Sequence, residues 1–431
     1  MALARTPGVH VVGRSAAYRF RNQRDVDVRT VGQALGAALV LQGIVRSVGG
    51  RIHVSAQLTT ARTGEELWAD SYERNSADLM SLQSDLARAV AVALRSHFRG
   101  VGAAPADSDR GTRDREAYDL YLRGQFLLRR RGPGVVQAAA HFDSAIARDS
   151  SFARAYAALG EALELFPYFV GTPSADVYRR ATAAAERALQ LDSTLAQAHV
   201  TLGLAHQEAF EWNAAGPEFV RAVQLDPDNA AAHLQFGRYL VYTGHPDSAL
   251  AEFRRARTLD PYSALYSSWT AYALWRKGQS HEALNELSRS ADLDSLNMVM
   301  LELSAIIYAE AGDTASARKS VARMWAWPPW SATGAYVSAR IGDIAVAQRL
   351  MRDVESKPRM PWCGHMTLAW GALGLGDTTR FLDELERATK AGELWPAWHP
   401  AYDRMFDPVR RSARFRQLLR EVGVENTITR P

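Results

Sequence analysis

The sequence predicts an α+β domain at the amino terminus, followed by an all-α solenoid built from helical hairpins. In the first hundred or so residues short apolar runs alternate with turn signals, whereas in the rest of the chain a helical sequence pattern recurs every 34 residues. The segments LQLDSTLAQAHVTLG, at 189–203, and VQLDPDNAAAHLQFG, at 223–237, show this repeat directly. A chain of 431 residues is also too long for one compact core, so several units or one elongated stack are expected.

Composition and charge are those of a folded protein. Hydrophobic residues make up 47% of the chain, charged residues 23%, and the net charge is +4. Basic and acidic residues are interleaved, which argues against nucleic-acid binding by this chain itself. No apolar run is long enough for a membrane segment, and the amino terminus lacks the apolar stretch of a signal peptide. We therefore expect a cytoplasmic protein, with the extracytoplasmic part of a membrane-tethered parent protein as the alternative.

The elements of the first domain follow in order. The stretch DVDVRTVGQALG predicts a helix that ends at Gly36. Apolar runs on both sides of Gly49-Gly50 predict a β-hairpin, because glycines favour tight turns. The second run places one set of side chains on one sheet face: Ile52, Val54, Ala56 and Leu58. EELWADSYER predicts a third strand, and the apolar spacing after Ser76 predicts a covering helix.

The stretch from Ala38 to Leu94 resembles the TolB amino-terminal-like domain, which precedes helical repeat arrays in many bacterial signalling proteins. The matching elements are Leu41-Gln42-Gly43, Val45-Arg46, Ala56-Gln57-Leu58, Thr63-Gly64, Leu67-Trp68, Tyr72-Glu73-Arg74 and Leu82-Gln83. Ile44 departs from the serine usual in that family. The resemblance implies a further strand and a full helix in front, so the domain is expected to be truncated there and its sheet to lack an edge strand.

The solenoid is predicted by residues that recur at intervals of 34. Small residues recur in three series: Ala181, Ala215, Ala249, Ala283 and Ala317; Gly203, Gly237, Ala271 and Ala305; Ala188, Ala222, Ala256 and Ser290. An aspartate recurs in a fourth: Asp192, Asp226, Asp260 and Asp294. Small residues allow the two helices of a hairpin to cross closely, and the aspartate with the Pro or Ser after it ends the second helix. This period and pattern are typical of tetratricopeptide (TPR) repeats.

The pattern divides the chain into four parts. They are a domain that resembles TolB amino-terminal-like domains at 1–99, a linker at 100–115, a TPR solenoid of about eight repeats at 116–395, and a capping segment at 396–431. The second repeat carries an insertion near LFPYFVGTPS, and the copies degrade after 325. The segment MFDPVRRSARFRQLLREVGV resembles the ending common in the same family of TolB-like and TPR proteins, so the resemblance covers nearly the whole chain.

No motif in the sequence predicts catalysis, a cofactor or a metal. There is no phosphate-binding glycine loop, no His-Glu-x-x-His and no kinase catalytic loop. His199 and His233 occupy the same repeat position, which favours packing over metal ligation. Cys363 and His365 are poorly spaced for a nucleophile and its base, and the arginines at 129–131 are placed to complement a helix dipole.

The surface most suited to a partner is the concave side of the solenoid, which the first helix of each repeat lines. The predicted groove residues are Gln207, Glu208, Arg238, Tyr242, Tyr272, Trp275, Arg276, Glu302 and Glu310. Tyrosine, tryptophan and arginine are the side chains that anchor protein partners. We expect Trp269 to pack between helices, whereas for Trp275 and Arg276 packing and partner binding both stay open.

Seven of the 11 tryptophans lie after position 320, where they form an aromatic surface or, by our preferred interpretation, fill gaps between degenerate repeats. The sequence thus predicts a non-enzymatic TPR scaffold that binds a protein or peptide. In the family it resembles, such a module follows an effector. The alternative is therefore the detached regulatory tail of a larger Ser/Thr kinase, nucleotide cyclase or winged-helix transcription regulator.

Overall fold

A computed structural model describes most of the chain. The described residues are 26–48, 51–75, 111–130, 134–166, 174–295, 297–324, 331–356, 364–391 and 404–425, with isolated positions at 12, 17, 20, 86, 89, 90, 92–94 and 393. The chain divides into two compact units, Met1–Leu120 and Tyr121–Pro431. Cys363, most of the predicted linker and most of the insertion of the second repeat lie outside the described residues, as does most of the chain before the first helix.

The first unit contains helix α1 (Val28–Leu35) and an antiparallel sheet in the order β1 (Leu39–Val48), β2 (Arg51–Thr60) and β3 (Glu66–Asn75). The side chain of Asp27 accepts from the backbone N–H of Arg29 at the start of α1, and Gly36 ends the helix with φ 59°. The predicted face of β2 is buried, because Ile52, Val54, Ala56 and Leu58 are all at most 7% exposed. The α+β class of the first domain and its hairpin are therefore confirmed.

Seventeen further α-helices are described, and the first sixteen pair into eight hairpins, as the TPR pattern predicts. The hairpins are α2 (Arg115–Arg130) with α3 (Gly134–Arg148), α4 (Ala153–Glu164) with α5 (Ser174–Leu191), α6 (Ala196–Glu208) with α7 (Trp212–Leu225), α8 (Ala230–Tyr242) with α9 (Pro246–Leu259), α10 (Ala264–Arg276) with α11 (Ser280–Leu293), α12 (Met298–Glu310) with α13 (Thr314–Met324), α14 (Ser331–Arg340) with α15 (Ile344–Ser356), and α16 (Gly364–Gly374) with α17 (Thr378–Lys390). The second unit begins within α2. A 3₁₀ turn (Arg404–Phe406) and α18 (Ala413–Glu421) follow the last hairpin.

The small residues of the 34-residue series lie where the helices cross. All five alanines of the first series are fully buried, and a Cβ added to Gly237 would lie 2.5 Å from the ring of Phe253. A Cβ added to Gly203 would likewise lie 2.8 Å from the ring of Phe219. Both phenylalanines are fully buried, whereas Phe236 is only half-buried and stacks on Tyr239. Small residue and large ring thus fit together within both of these hairpins.

The turns inside the hairpins also repeat. Gly244, Gly278 and Gly312 are 34 residues apart and have φ values of 77° to 80°, a conformation that glycine adopts readily. The equivalent position in the third hairpin is Phe210, at φ 61°. Among the described residues it is the only non-glycine with positive φ.

The carboxyl-terminal part of the array is closed by α18. Phe415 packs with its ring centroid 5.3 Å from that of Phe406 and 6.3 Å from that of Phe381 in α17. Trp370 is fully buried against the rings of Phe381 and Phe406, so this tryptophan fills the core rather than forming a surface. The other six tryptophans after position 320 lie outside the described residues. No described helix has the combination of length and apolarity needed to cross a membrane.

Candidate functional site

The first helices of the hairpins form a row. The helices α4, α6, α8, α10, α12, α14 and α16 each pack beside the next member of this series. Near the carboxyl end of α6 to α12, two positions four residues apart share one face and recur every 34 residues. They hold Leu204 and Glu208 in α6, Arg238 and Tyr242 in α8, Tyr272 and Arg276 in α10, and Ile306 and Glu310 in α12. The crossing positions stay small from copy to copy, whereas these two positions vary.

Arg238 is held between two adjacent first helices. Its Nε donates to the hydroxyl of Tyr242 over 3.1 Å, and its Nη1 donates to Oε1 of Gln235 over 2.8 Å. Its guanidinium carbon lies 5.2 Å from the ring centroid of Trp269 in α10. A planar cation over an aromatic ring is attracted by the negative ring face. Arg238 is therefore fixed by both helices.

The next helix uses the same residue types in reversed order. The Nη2 of Arg276 donates to the hydroxyl of Tyr272 over 3.1 Å, and its guanidinium carbon lies 4.3 Å from the ring centroid of Trp275. The indole Nε1 of Trp275 donates to Oε2 of Glu310 in α12 over 2.9 Å. Specific contacts thus connect α8, α10 and α12.

Two carboxyl groups on this row titrate near neutral pH. Burial raises the pKa of Glu208 to about 7, against the opposing effects of a hydrogen bond with Tyr178 and the positive charge of Arg238. Burial also raises the pKa of Glu302 to about 7, against a hydrogen bond from the Thr333 hydroxyl. The charge of this surface therefore changes within the physiological pH range.

The nine predicted groove residues differ in exposure. Five are buried, namely Gln207, Tyr242, Tyr272, Trp275 and Glu302. Glu208, Arg238 and Arg276 are half-buried, and Glu310 is exposed. Arg238 stacks on the ring of Trp269, and Arg276 stacks on the rings of Tyr272 and Trp275. Trp269 packs between Phe253 and Tyr272, as predicted.

Sequence reasoning missed two polar side chains near Glu208, one on the row of first helices and one on a second helix. Glu164 occupies on α4 the position that Gln207 occupies on α6, as the alignment of Gly160 with Gly203 shows. Burial, and then the charge of Glu208, raise the pKa of Glu164 well above its ordinary 4.5. Tyr178 contributes from α5, so only the fold brings it to Glu208.

The histidines belong to packing pairs. Nδ1 of His199 lies 2.7 Å from Oε2 of Glu218, and His233 makes the same bond with Glu252. In both hairpins the glutamate lies 19 residues further on, in the second helix. His365 and Glu384 repeat this pairing in the last hairpin. Within the described residues, no group of three potential ligands is placed to hold a metal ion.

Comparison with known proteins gives partial similarities. No protein-family profile matches the chain. A putative adenylate cyclase 3 from Rhizobium meliloti (strain 1021) is 31% identical over 205 residues, which are 47% of this chain and 35% of that protein. The chain thus matches about a third of the length of this curated relative.

The solved structures it resembles are also distant. YrrB, described as a TPR protein with an unusual peptide-binding site, is 23% identical over 45% of this chain and 93% of its own, with a TM-score of 0.31. Pseudomonas aeruginosa pilF is 18% identical over 48% of this chain and 92% of its own, with a TM-score of 0.38. Yeast Tom70 is 16% identical over 65% of this chain and 61% of its own, with a TM-score of 0.43.

Proposed function

We propose that the chain is a non-enzymatic scaffold that binds an extended peptide or a helix of a partner protein along the row of first helices. The observation that carries this proposal is the reversed pair of residues at one repeat position. Arg238 and Tyr242 in α8 become Tyr272 and Arg276 in α10. Positions that serve only for packing would be expected to hold similar residues in every repeat, as the crossing positions do with their alanines.

The chemistry of the row suits a polypeptide ligand. The half-buried guanidinium groups of Arg238 and Arg276 are oriented by tyrosine hydroxyls and aromatic rings. Pre-oriented arginine forks bind carboxylates with two parallel hydrogen bonds and lose little conformational entropy in doing so. The carboxyl groups of Glu208 and Glu310 lie at the same repeat position as Tyr242 and Arg276, so acidic residues on α6 and α12 flank the two arginines on α8 and α10. We therefore expect the partner segment to carry at least one acidic side chain.

The experiment begins with a phage-displayed peptide library selected on the whole chain. The dissociation constant of an enriched peptide is then measured by fluorescence polarisation on the wild type and on Arg238→Gln with Arg276→Gln. Glutamine removes both cations without placing new carboxylates beside Glu208. We expect binding to weaken by about tenfold or more, equivalent to about 1.4 kcal/mol.

The matched control is Arg254→Gln with Arg289→Gln, which removes the same charge from exposed positions on the second helices α9 and α11. This control should bind like the wild type, and circular dichroism should show unchanged helix content in both variants. Equal affinity of the wild type and the first double variant would place the binding surface elsewhere. The Trp-rich carboxyl-terminal third would then be the next candidate.

The similarity to part of the adenylate cyclase favours a second candidate function, the regulatory tail of a larger signalling protein. The resemblance of the first domain to TolB amino-terminal-like domains supports the same reading. Mapping the 5′ end of the transcript tests it. A reading frame that continues upstream of Met1 into an effector domain would support the tail, and an in-frame stop codon close upstream would support the separate scaffold.

A further inference from the structure

Two residues of the third hairpin break the repeat. Phe210 stands where the next three hairpins have glycine in the turn. Two residues later Trp212 begins α7, at the position that Pro246, Ser280 and Thr314 occupy in those hairpins. Both exceptions replace a small or turn-forming residue by a large aromatic one. Something other than the hairpin itself therefore accounts for them.

The conformation of Phe210 points the same way. A bulky residue at φ 61° is sterically unfavourable, and such residues persist where the surrounding structure holds them. They also cluster at functional sites. Phe210 packs against the same hydrophobic cluster that contains Trp212.

The group that meets these two residues is the carboxyl-terminal end of the described chain. The indole Nε1 of Trp212 donates to the carbonyl of Val422 over 2.7 Å, across 210 residues of sequence. Val422 and Val424 are buried. Gly423 has φ 72°, and a Cβ there would lie 3.1 Å from Cδ1 of Trp212. A glycine is thus required both by the backbone conformation and by the close approach of the indole.

The two ends of this carboxyl-terminal segment are held unequally. At its start, Arg414 pairs with Asp383 over 2.7 Å and also with Glu386, while Phe415 packs in the aromatic cluster of α17. At its end, the segment 422–424 meets the third hairpin through the hydrogen bond from Trp212 to the Val422 carbonyl and through the close approach of Gly423 to Trp212 and Phe210. The contact with Trp212 should therefore open first, with α18 still attached to the last hairpin.

We propose that residues 422–424 are a latch that docks reversibly on the turn between α6 and α7. The closed latch ties the third hairpin to the end of the array and holds the intervening first helices, α6 to α16, in one arrangement. Trp212 also packs edge-on against Tyr242, with ring centroids 6.4 Å apart. Opening the latch therefore releases the support of the residue that orients Arg238. This inference goes beyond the proposed function and is tested without a partner.

The test measures the distance between α7 and α18 by pulsed electron paramagnetic resonance. Spin labels are placed at Arg221→Cys and Gln417→Cys, both exposed positions, in the full chain carrying Cys363→Ser. The latch is removed by a stop codon after Glu421. The matched control stops after Glu425 and keeps the latch. A second variant, Phe210→Gly with Trp212→Ser, restores residues that the fifth hairpin uses at these positions and so keeps a turn that folds.

We expect one short distance in the unaltered chain and in the control, and an additional longer distance in the chain ending at Glu421 and in the double variant. Hydrogen exchange should become about tenfold faster at 206–216, with exchange in α17 unchanged. Distance distributions that stay the same in both latch variants would overturn the proposal. Loss of helix content throughout the array would also overturn it, since the segment would then be part of the core rather than a latch.

Discussion

Replacing Glu302 by glutamine should stabilise the solenoid at neutral pH and have little effect in mild acid. Glu302 lies on α12, is 7% exposed, and is bonded to the hydroxyl of Thr333. Burial raises its pKa from 4.5 to about 7. The folded state therefore favours the protonated acid, whereas the unfolded chain ionises at its ordinary value. Glutamine has the same shape, can accept the same hydrogen bond and carries no charge at any pH.

The magnitude follows from the two pKa values. The stability that the protonated form contributes is fully present below pH 4.5 and is lost as the pH rises to about 7. Each pH unit between these limits is equivalent to 1.36 kcal/mol, so the whole interval corresponds to roughly 3 kcal/mol. We expect the stability of Glu302→Gln relative to the wild type to grow by about this amount, as an upper limit, between mild acid and pH 8.

The assay is urea unfolding followed by circular dichroism at several pH values across this range, on the wild type and the variant. The matched control is Glu186→Gln, an identical substitution at an exposed position in the middle of α5. Its difference from the wild type should stay small at every pH. A difference for Glu302→Gln that does not depend on pH would refute the reasoning, since it would mean that Glu302 titrates alike in both states.

Three shorter predictions concern the hairpins and the histidine pairs. Gly237→Ala should lower the unfolding free energy by about 1–3 kcal/mol, because its Cβ would lie 2.5 Å from the ring of Phe253. Gly334→Ala is its matched contrast: the nearest atom would be 3.5 Å away, so thermal unfolding should show a gain of roughly 0.5–1 kcal/mol. Burial lowers the pKa of His233, but the hydrogen bonds to Glu252 and to the backbone carbonyl of Pro227 together raise it by more, so the pKa lies above its ordinary value. The pair of His233 with Glu252 should stabilise the folded state fully below about pH 6.5 and less as the pH rises. In urea titrations, Glu252→Gln should therefore lower the unfolding free energy more at pH 5.5 than at pH 8.5. An equal loss at both pH values would contradict this.

The sequence was sufficient to predict the local features of this fold. A helical hairpin needs small residues where its helices cross, and every member of the alanine series at 181, 215, 249, 283 and 317 is fully buried. The antiparallel pairing of β1 with β2 and the buried face of β2 were predictable for a similar reason. In both cases the determining contacts lie within one or two neighbouring elements, so spacing along the chain reports them directly.

Spacing also located the row of variable first-helix residues, but it could not determine their exposure. Arg238 in α8 is fixed by Trp269 of the next first helix, α10, and Trp275 in α10 is fixed by Glu310 of the following first helix, α12. Whether a side chain at such a position projects or packs depends on the crossing of adjacent hairpins. The repeat pattern specifies which helices are neighbours and leaves the depth of each side chain to the three-dimensional packing.

The contact between Trp212 and Val422 was decided by tertiary structure alone. The sequence shows that Phe210 and Trp212 depart from the repeat, yet nothing near them indicates what they meet. Their partner lies 210 residues further on, and its position results from the small rotations of all the hairpins between. Local sequence specifies each hairpin, because its contacts are local. The meeting of the third hairpin with the carboxyl-terminal segment depends on the sum of many such steps, which only the assembled array determines.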